Sequence, residues 1–152
     1  TIGTSAGGLL AARAAQIDPR IRAAVCLSSP TSLTDLVAAR KLRHDPVEIF
    51  LGTDAKAALS ASPLDHVGRN NPAMMLIHGD ADRWVPGNQA RKMHETLEEA
   101  SVFSRLVVIP GARHGFELHV GSPEPRDLTP EILEFLNESW NAHAASHADS
   151  PR

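Results

Sequence analysis

Cysteine is nearly absent from the 152 residues, with Cys26 the single one. That excludes a disulfide within the chain and a Cys-rich zinc site. Charge of one sign is not in excess either. Fifteen Lys and Arg against 18 Asp and Glu leave a net charge of −3, so no basic face is offered to nucleic acid or an anionic membrane. No apolar run reaches the ~18 residues that a membrane-spanning helix needs. Hydrophobic residues at 42% and charged residues at 22% are ordinary globular usage. They exclude a disordered or collagen-like chain. No internal repeat and no linker divides the sequence, and its length fits one domain.

What is present is alternation. Short apolar runs at 23–27, 73–77 and 106–109 are each bounded by turn residues, such as Ser28-Ser29-Pro30 and Pro110-Gly111. Runs of this kind suit strands buried on both faces. Helical stretches separate them, which is the βαβα order of an α/β fold with a parallel sheet. Residues 6–17 are Ala-rich and stop at Asp18-Pro19. Residues 87–100 place Met93 and Leu97 on one face and their charges on others. Thr129-Pro130 reads as an N-cap and first-turn Pro, followed by an apolar stripe through Ile132, Leu133, Phe135, Leu136 and Trp140. Residues 141–152 read as a frayed, flexible tail. Residues 31–67, which include Phe50-Leu51-Gly52, read as short helices and loops over one end of the sheet.

Chemistry enters at Gly3-Thr4-Ser5-Ala6-Gly7-Gly8, a match to G-x-S-x-G. In that motif a serine rides a tight strand-to-helix turn, and glycines relieve the crowding. The following helix aims free N–H groups at the same spot, suited to developing negative charge. A random chain of this size carries the pattern about 5% of the time, so the motif alone decides little. A serine hydroxyl also needs a base, and the base needs an orienting group. Such groups gather at the carboxyl ends of parallel strands. Two strand ends supply them: residues 78–86, with Asp80 and Asp82, and residues 110–116, with His114. The order is therefore Ser5, an acid at 80 or 82, then His114, the Ser…Asp…His order of the α/β-hydrolase arrangement.

On these stretches, together with Ser62-Pro63-Leu64, the chain resembles the C-terminal half of an α/β-hydrolase. It is most similar to small esterases of the acetyl esterase, feruloyl esterase and hormone-sensitive-lipase-like groups, and to the catalytic domain of prolyl-oligopeptidase-type peptidases. The resemblance covers residues 1 to about 140. It implies a three-layer α/β sandwich with a mostly parallel sheet, lacking its N-terminal strands, because the chain opens only two residues ahead of the motif. The strand leading into Ser5 is then expected to be an unprotected edge. In the form His-Gly-x-x-Asp-x-x-Val-Pro the acid is the third residue after the glycine, which selects Asp82 over Asp80. The His-Gly-Phe context selects His114.

The resemblance implies that Ser5 is the nucleophile, His114 the base and Asp82 its orienting acid, with the Ala6 N–H as one oxyanion donor. A second donor comes, in family members, from a Gly-rich loop well before the serine. Trp84 and Phe116 flank the acid and base, and either pack the loops or line a substrate pocket. Asp80 reads as a turn former or a support to the acid, and His78 as a hydrogen-bonding turn residue. His66, His94 and His119 read as surface or loop histidines, and Cys26 as a small buried hydrophobe. No metal and no cofactor is implied. The expected activity is hydrolysis of short-chain acyl esters, small-molecule substrates reached through a shallow site. The alternatives are a prolyl-oligopeptidase-type peptidase, or an inactive piece or hydrolase-like binding module. Oligomeric state is not legible. Compartment is left open with the cytoplasm as the default, since a leader would sit upstream of Thr1.

Overall fold

A computed structural model describes residues 1–40, 55–116 and 126–148 of the chain. Four strands, β1 (Ile2–Thr4), β2 (Ala23–Leu27), β3 (Ala73–Gly79) and β4 (Ser104–Ile109), form one sheet in sequence order. Every pairing is parallel, and the register runs Gly3–Cys26, Cys26–Leu76 and Leu76–Leu106. Helix α1 (Ala6–Ile17) joins β1 to β2, and α4 (Asn88–Glu99) joins β3 to β4. Between β2 and β3 lie α2 (Leu33–Arg40), α3 (Ala55–Ala61) and a 3-10 turn at Pro63–His66. Helix α5 (Thr129–Ala148) closes the described chain.

Side chains alternate across a strand, and the apolar runs feed both faces. Ala24, Cys26, Met74 and Leu76 join Ala12 and Ala15 of α1 and Met93 and Leu97 of α4 in one core. Val25, Leu27, Met75 and Ile77 join Phe135 of α5 in the other. The result is three layers, with α1 and α4 on one face of the sheet and α5 on the opposite one. A third cluster of Leu33, Leu36 and Ala58 packs on Leu9 of α1, which anchors the short helices between β2 and β3. Phe50, Leu51 and Gly52 lie outside the described residues, as do His119 and residues 149–152.

Four expectations shift. Strand β4 begins at Ser104, two residues before the apolar run. Its polar start is partnered: His94 Nδ1 lies 2.7 Å from the Ser104 hydroxyl, and Arg105 reaches Glu134 and Glu138 of α5 at 2.9 and 2.6 Å. Helix α5 takes its capping oxygen from Asp127, whose Oδ1 accepts the Thr129 N–H at 2.9 Å. Thr129 is therefore the first helical residue and not the cap. The same helix runs on to Ala148 where fraying was expected after Trp140. Its buried line is Leu128, Phe135 and Ser139, while Leu133, Leu136 and Trp140 are exposed. Trp140 instead stacks under the Arg22 guanidinium, 5.1 Å from the ring centroid. At the other end of the sheet, β1 pairs only with β2 among the described residues, and Ile2 stands exposed on that edge.

Candidate active site

Ser5 sits on the turn between β1 and α1 at φ 52° and ψ −123°, where non-glycine residues are strained by roughly 1–3 kcal/mol. The surroundings hold it there. Its N–H donates to Leu27 O at 2.8 Å, and its carbonyl accepts from the Gly8 and Leu9 N–H groups at 3.0 and 3.2 Å. Two glycines make the turn possible, and only one of them, Gly3, is named by the motif. A Cβ on Gly3 would lie 2.2 Å from Gly7 O, and one on Gly8 would lie 1.7 Å from the Ser29 hydroxyl and 2.8 Å from Gly3 O. A Cβ on Gly7 would meet nothing within 4 Å. The first-turn N–H groups of Ala6 and Gly7 have no acceptor within the helix, as at any helix start, and they lie beside Ser5.

The base comes from the turn after β4. Gly111 and Gly115, at φ 72° and 78°, bend this segment around His114. His114 Nε2 lies 3.0 Å from Ser5 Oγ, and its Nδ1 lies 2.7 Å from Asp82 Oδ2. A carboxylate only accepts, so Nδ1 carries the proton and Nε2 turns its lone pair to the serine. Ser5 and His114 are partly open to solvent, whereas the Asp82 side chain is fully buried.

Burial pushes the Asp82 carboxyl up, but its hydrogen bonds win and hold it at about 2. The donors are His78, the Val85 N–H, His114 and the Trp84 N–H. Both backbone groups reach Oδ1, at 2.9 Å from Val85 and 2.8 Å from Trp84. Asp82 is thus a fixed anion across the whole working pH range. Asp80 does a different job. Its Oδ1 accepts the Gly111 N–H at 2.6 Å, which ties the acid turn to the base turn. Gly79 lets those turns touch, since a Cβ there would lie 2.2 Å from Ala112 O.

Sequence reasoning therefore named three side chains that the fold brings into one hydrogen-bonded row. It missed the contact of His78 with Asp82, the steric role of Gly79, and the exchange of Gly7 for Gly8. The dipeptide His78-Gly79 at a strand end was the available sign. Of the two aromatic residues, Trp84 is 58% exposed on the acid turn. Phe116 takes the packing reading of its two: it is 6% exposed and sits in the α5-side core with Ile77, Leu128 and Phe135, because the turn at Gly115 carries it inward. Cys26 is buried mid-strand and its thiol is pushed up to about 12, which leaves it inert. Among the described residues no three His, Cys, Asp or Glu side chains are arranged to hold a metal ion, and no helix is long and apolar enough to cross a membrane.

Known proteins are similar to this chain in sequence and in fold. The chain is 32% identical over 164 residues to Esterase LipC of Mycobacterium tuberculosis, covering 93% of this chain and 40% of that protein. Thermogutta terrifontis esterase 2, solved phosphonylated by sarin, superposes with a TM-score of 0.70 at 28% identity, over 90% of this chain and 55% of that one. A puromycin-hydrolyzing peptidase of Mycobacterium tuberculosis shares the fold, with a TM-score of 0.65 at 24% identity, over 75% of this chain and 18% of that one. The chain thus spans well under two thirds of the proteins it resembles. The family description that its sequence matches, over residues 1–142, is that of prolyl oligopeptidase. With its parallel sheet, its serine turn and its esterase relatives, the chain belongs to the prolyl oligopeptidase family of α/β-hydrolases.

Proposed function

We propose that the protein hydrolyses short-chain carboxylic esters with Ser5 as nucleophile. The observation that carries this reading is the row Asp82 Oδ2, His114, Ser5 Oγ, with spacings of 2.7 and 3.0 Å and the imidazole tautomer set for base catalysis. Ser5 Oγ attacks the ester carbonyl while His114 Nε2 takes the hydroxyl proton. The same proton passes to the departing alcohol, leaving an acyl-enzyme. Water, deprotonated by His114, then attacks the acyl carbon and releases the acid and free Ser5. Asp82 remains ionised throughout and stabilises the imidazolium. The Ala6 N–H faces the developing oxyanion as one donor. Trp84, exposed beside Asp82, is suited to contact the acyl or alcohol portion. The esterase names of the relatives support an ester substrate.

The second reading is a serine peptidase. The family match and the peptidase neighbour favour it, and the same three side chains serve amide cleavage. Turnover of a short-chain p-nitrophenyl ester, set against a chromogenic dipeptide amide, separates the two. The ester reading expects ester turnover to dominate and to vanish in Ser5→Ala. Faster amide turnover in the same protein refutes it in favour of the peptidase.

A further inference from the structure

We propose that His78 is a positioning residue for the site, holding the Asp82 carboxylate through an Nε2–H shared with the Val85 carbonyl. The inference rests on the triad reading given above. His78 lies near the end of β3 and is 2% exposed. Its Nε2 lies 2.8 Å from Val85 O and 3.3 Å from Asp82 Oδ2. A carbonyl oxygen only accepts, so Nε2 carries the proton and the tautomer is decided. That proton lies within reach of Oδ2, the oxygen that also receives the His114 Nδ1–H at 2.7 Å.

The carboxylate is therefore gripped at both oxygens. Oδ1 takes the Trp84 and Val85 N–H groups, and Oδ2 sits between two imidazoles. Three donors bond the carboxylate, and the His78 Nε2–H stands 3.3 Å from Oδ2 as the fourth polar neighbour. Rotation of the carboxylate strands at least one buried partner. His78 also joins both ends of the turn, since one N–H reaches residue 82 and residue 85 together. Without it, Oδ2 is held only by His114, the group that must itself be free to gain and lose charge. The low ionisation of Asp82, near 2, fits this grip, with the His78 bond foremost among those that offset burial.

The decisive comparison is His78→Leu against His78→Gln in the protein. Leucine removes the donor and keeps the volume, whereas the glutamine amide carries an N–H to about the position of Nε2. The expected result for H78L is a fall in kcat for a p-nitrophenyl ester of up to about 10²-fold with KM little changed. H78Q is expected to recover most of that loss. The low-field proton NMR resonance of the His114–Asp82 bond is expected in the wild type and in H78Q, and weakened or lost in H78L. If H78L does not fold, H78N takes its place, because the shorter amide falls short of Oδ2. Wild-type kcat and an unchanged resonance in a folded H78L of lower Tm overturn the proposal, as does an H78Q as impaired as H78L. Failure of the ester reading is distinct: the wild type then shows no ester turnover, while the resonance still reports whether His78 holds Asp82.

Discussion

Replacing Gly7 by alanine is expected to leave the fold intact or to stabilise it, although Gly7 is the closing glycine of the G-x-S-x-G match. The structure reverses the weight of the three glycines around Ser5. At Gly3 an added Cβ would lie 2.2 Å from the Gly7 carbonyl oxygen and 2.8 Å from the Gly8 nitrogen. Both are backbone atoms, and an ordinary contact needs 3.4 Å or more, so the strand and helix must part by about 1 Å. At Gly8 the clash is with Ser29 at 1.7 Å and with Gly3 O at 2.8 Å. Overpacking of this kind costs roughly 1–3 kcal/mol, and a backbone-on-backbone clash lies at the upper end. Gly7 has open space and helical backbone, so alanine there gains up to about 1 kcal/mol of helix propensity. At roughly 2–4 °C per kcal/mol for a chain of this size, Gly7→Ala raises Tm by a few degrees while Gly3→Ala lowers it by about 5–10 °C. Thermal unfolding followed by circular dichroism reads all three variants side by side. A Gly7→Ala variant as destabilised as Gly3→Ala refutes the packing account of the turn.

Other expectations rest on separate parts of the molecule. The Asp82 carboxyl is lowered from 3.8 to about 2, which is worth about 2 kcal/mol. A lowered acid adds stability above its unfolded value and loses it as pH falls through the folded value. The stability gap between the wild type and Asp82→Asn should therefore narrow by about 2 kcal/mol from pH 4 to pH 2, and urea titrations at those pH values measure it. Gln89 is buried and its Oε1 accepts the Thr31 and Ser32 N–H groups at 2.9 and 2.8 Å, so Gln89→Ala strands two buried donors and should cost about 3 kcal/mol in the same assay. Cys26, buried with a raised thiol pKa, should be alkylated by iodoacetamide only as fast as the chain unfolds.

Much of this was legible because the strands are apolar on both faces. The runs at 23–27 and 73–77 have no other physical use than a covered parallel sheet, and the two cores divide them residue by residue. The order of Ser5, an acid at 80 or 82 and His114 along strand ends was legible for the same reason, since parallel strands gather their carboxyl ends; the family resemblance then selected Asp82. What escaped were contacts between elements distant in sequence. Ser104 and Arg105 look like loop residues until His94, Glu134 and Glu138 are placed beside them. Phe116 reads equally as loop packing or as a pocket wall until the turn at Gly115 carries it into the core. His78 looks like a hydrogen-bonding turn residue, and the structure supplies the Val85 carbonyl as its partner and sets the Asp82 oxygen beside it.

The central claim is that Ser5, His114 and Asp82 act as one unit. Rates of labelling by a fluorophosphonate probe, with the modified residue located by mass spectrometry, test it most directly. The account expects the label on Ser5, none in Ser5→Ala, and a fall on the order of 10⁴-fold in His114→Ala and Asp82→Asn. Labelling that persists in Ser5→Ala, or that proceeds at the wild-type rate without His114, contradicts it.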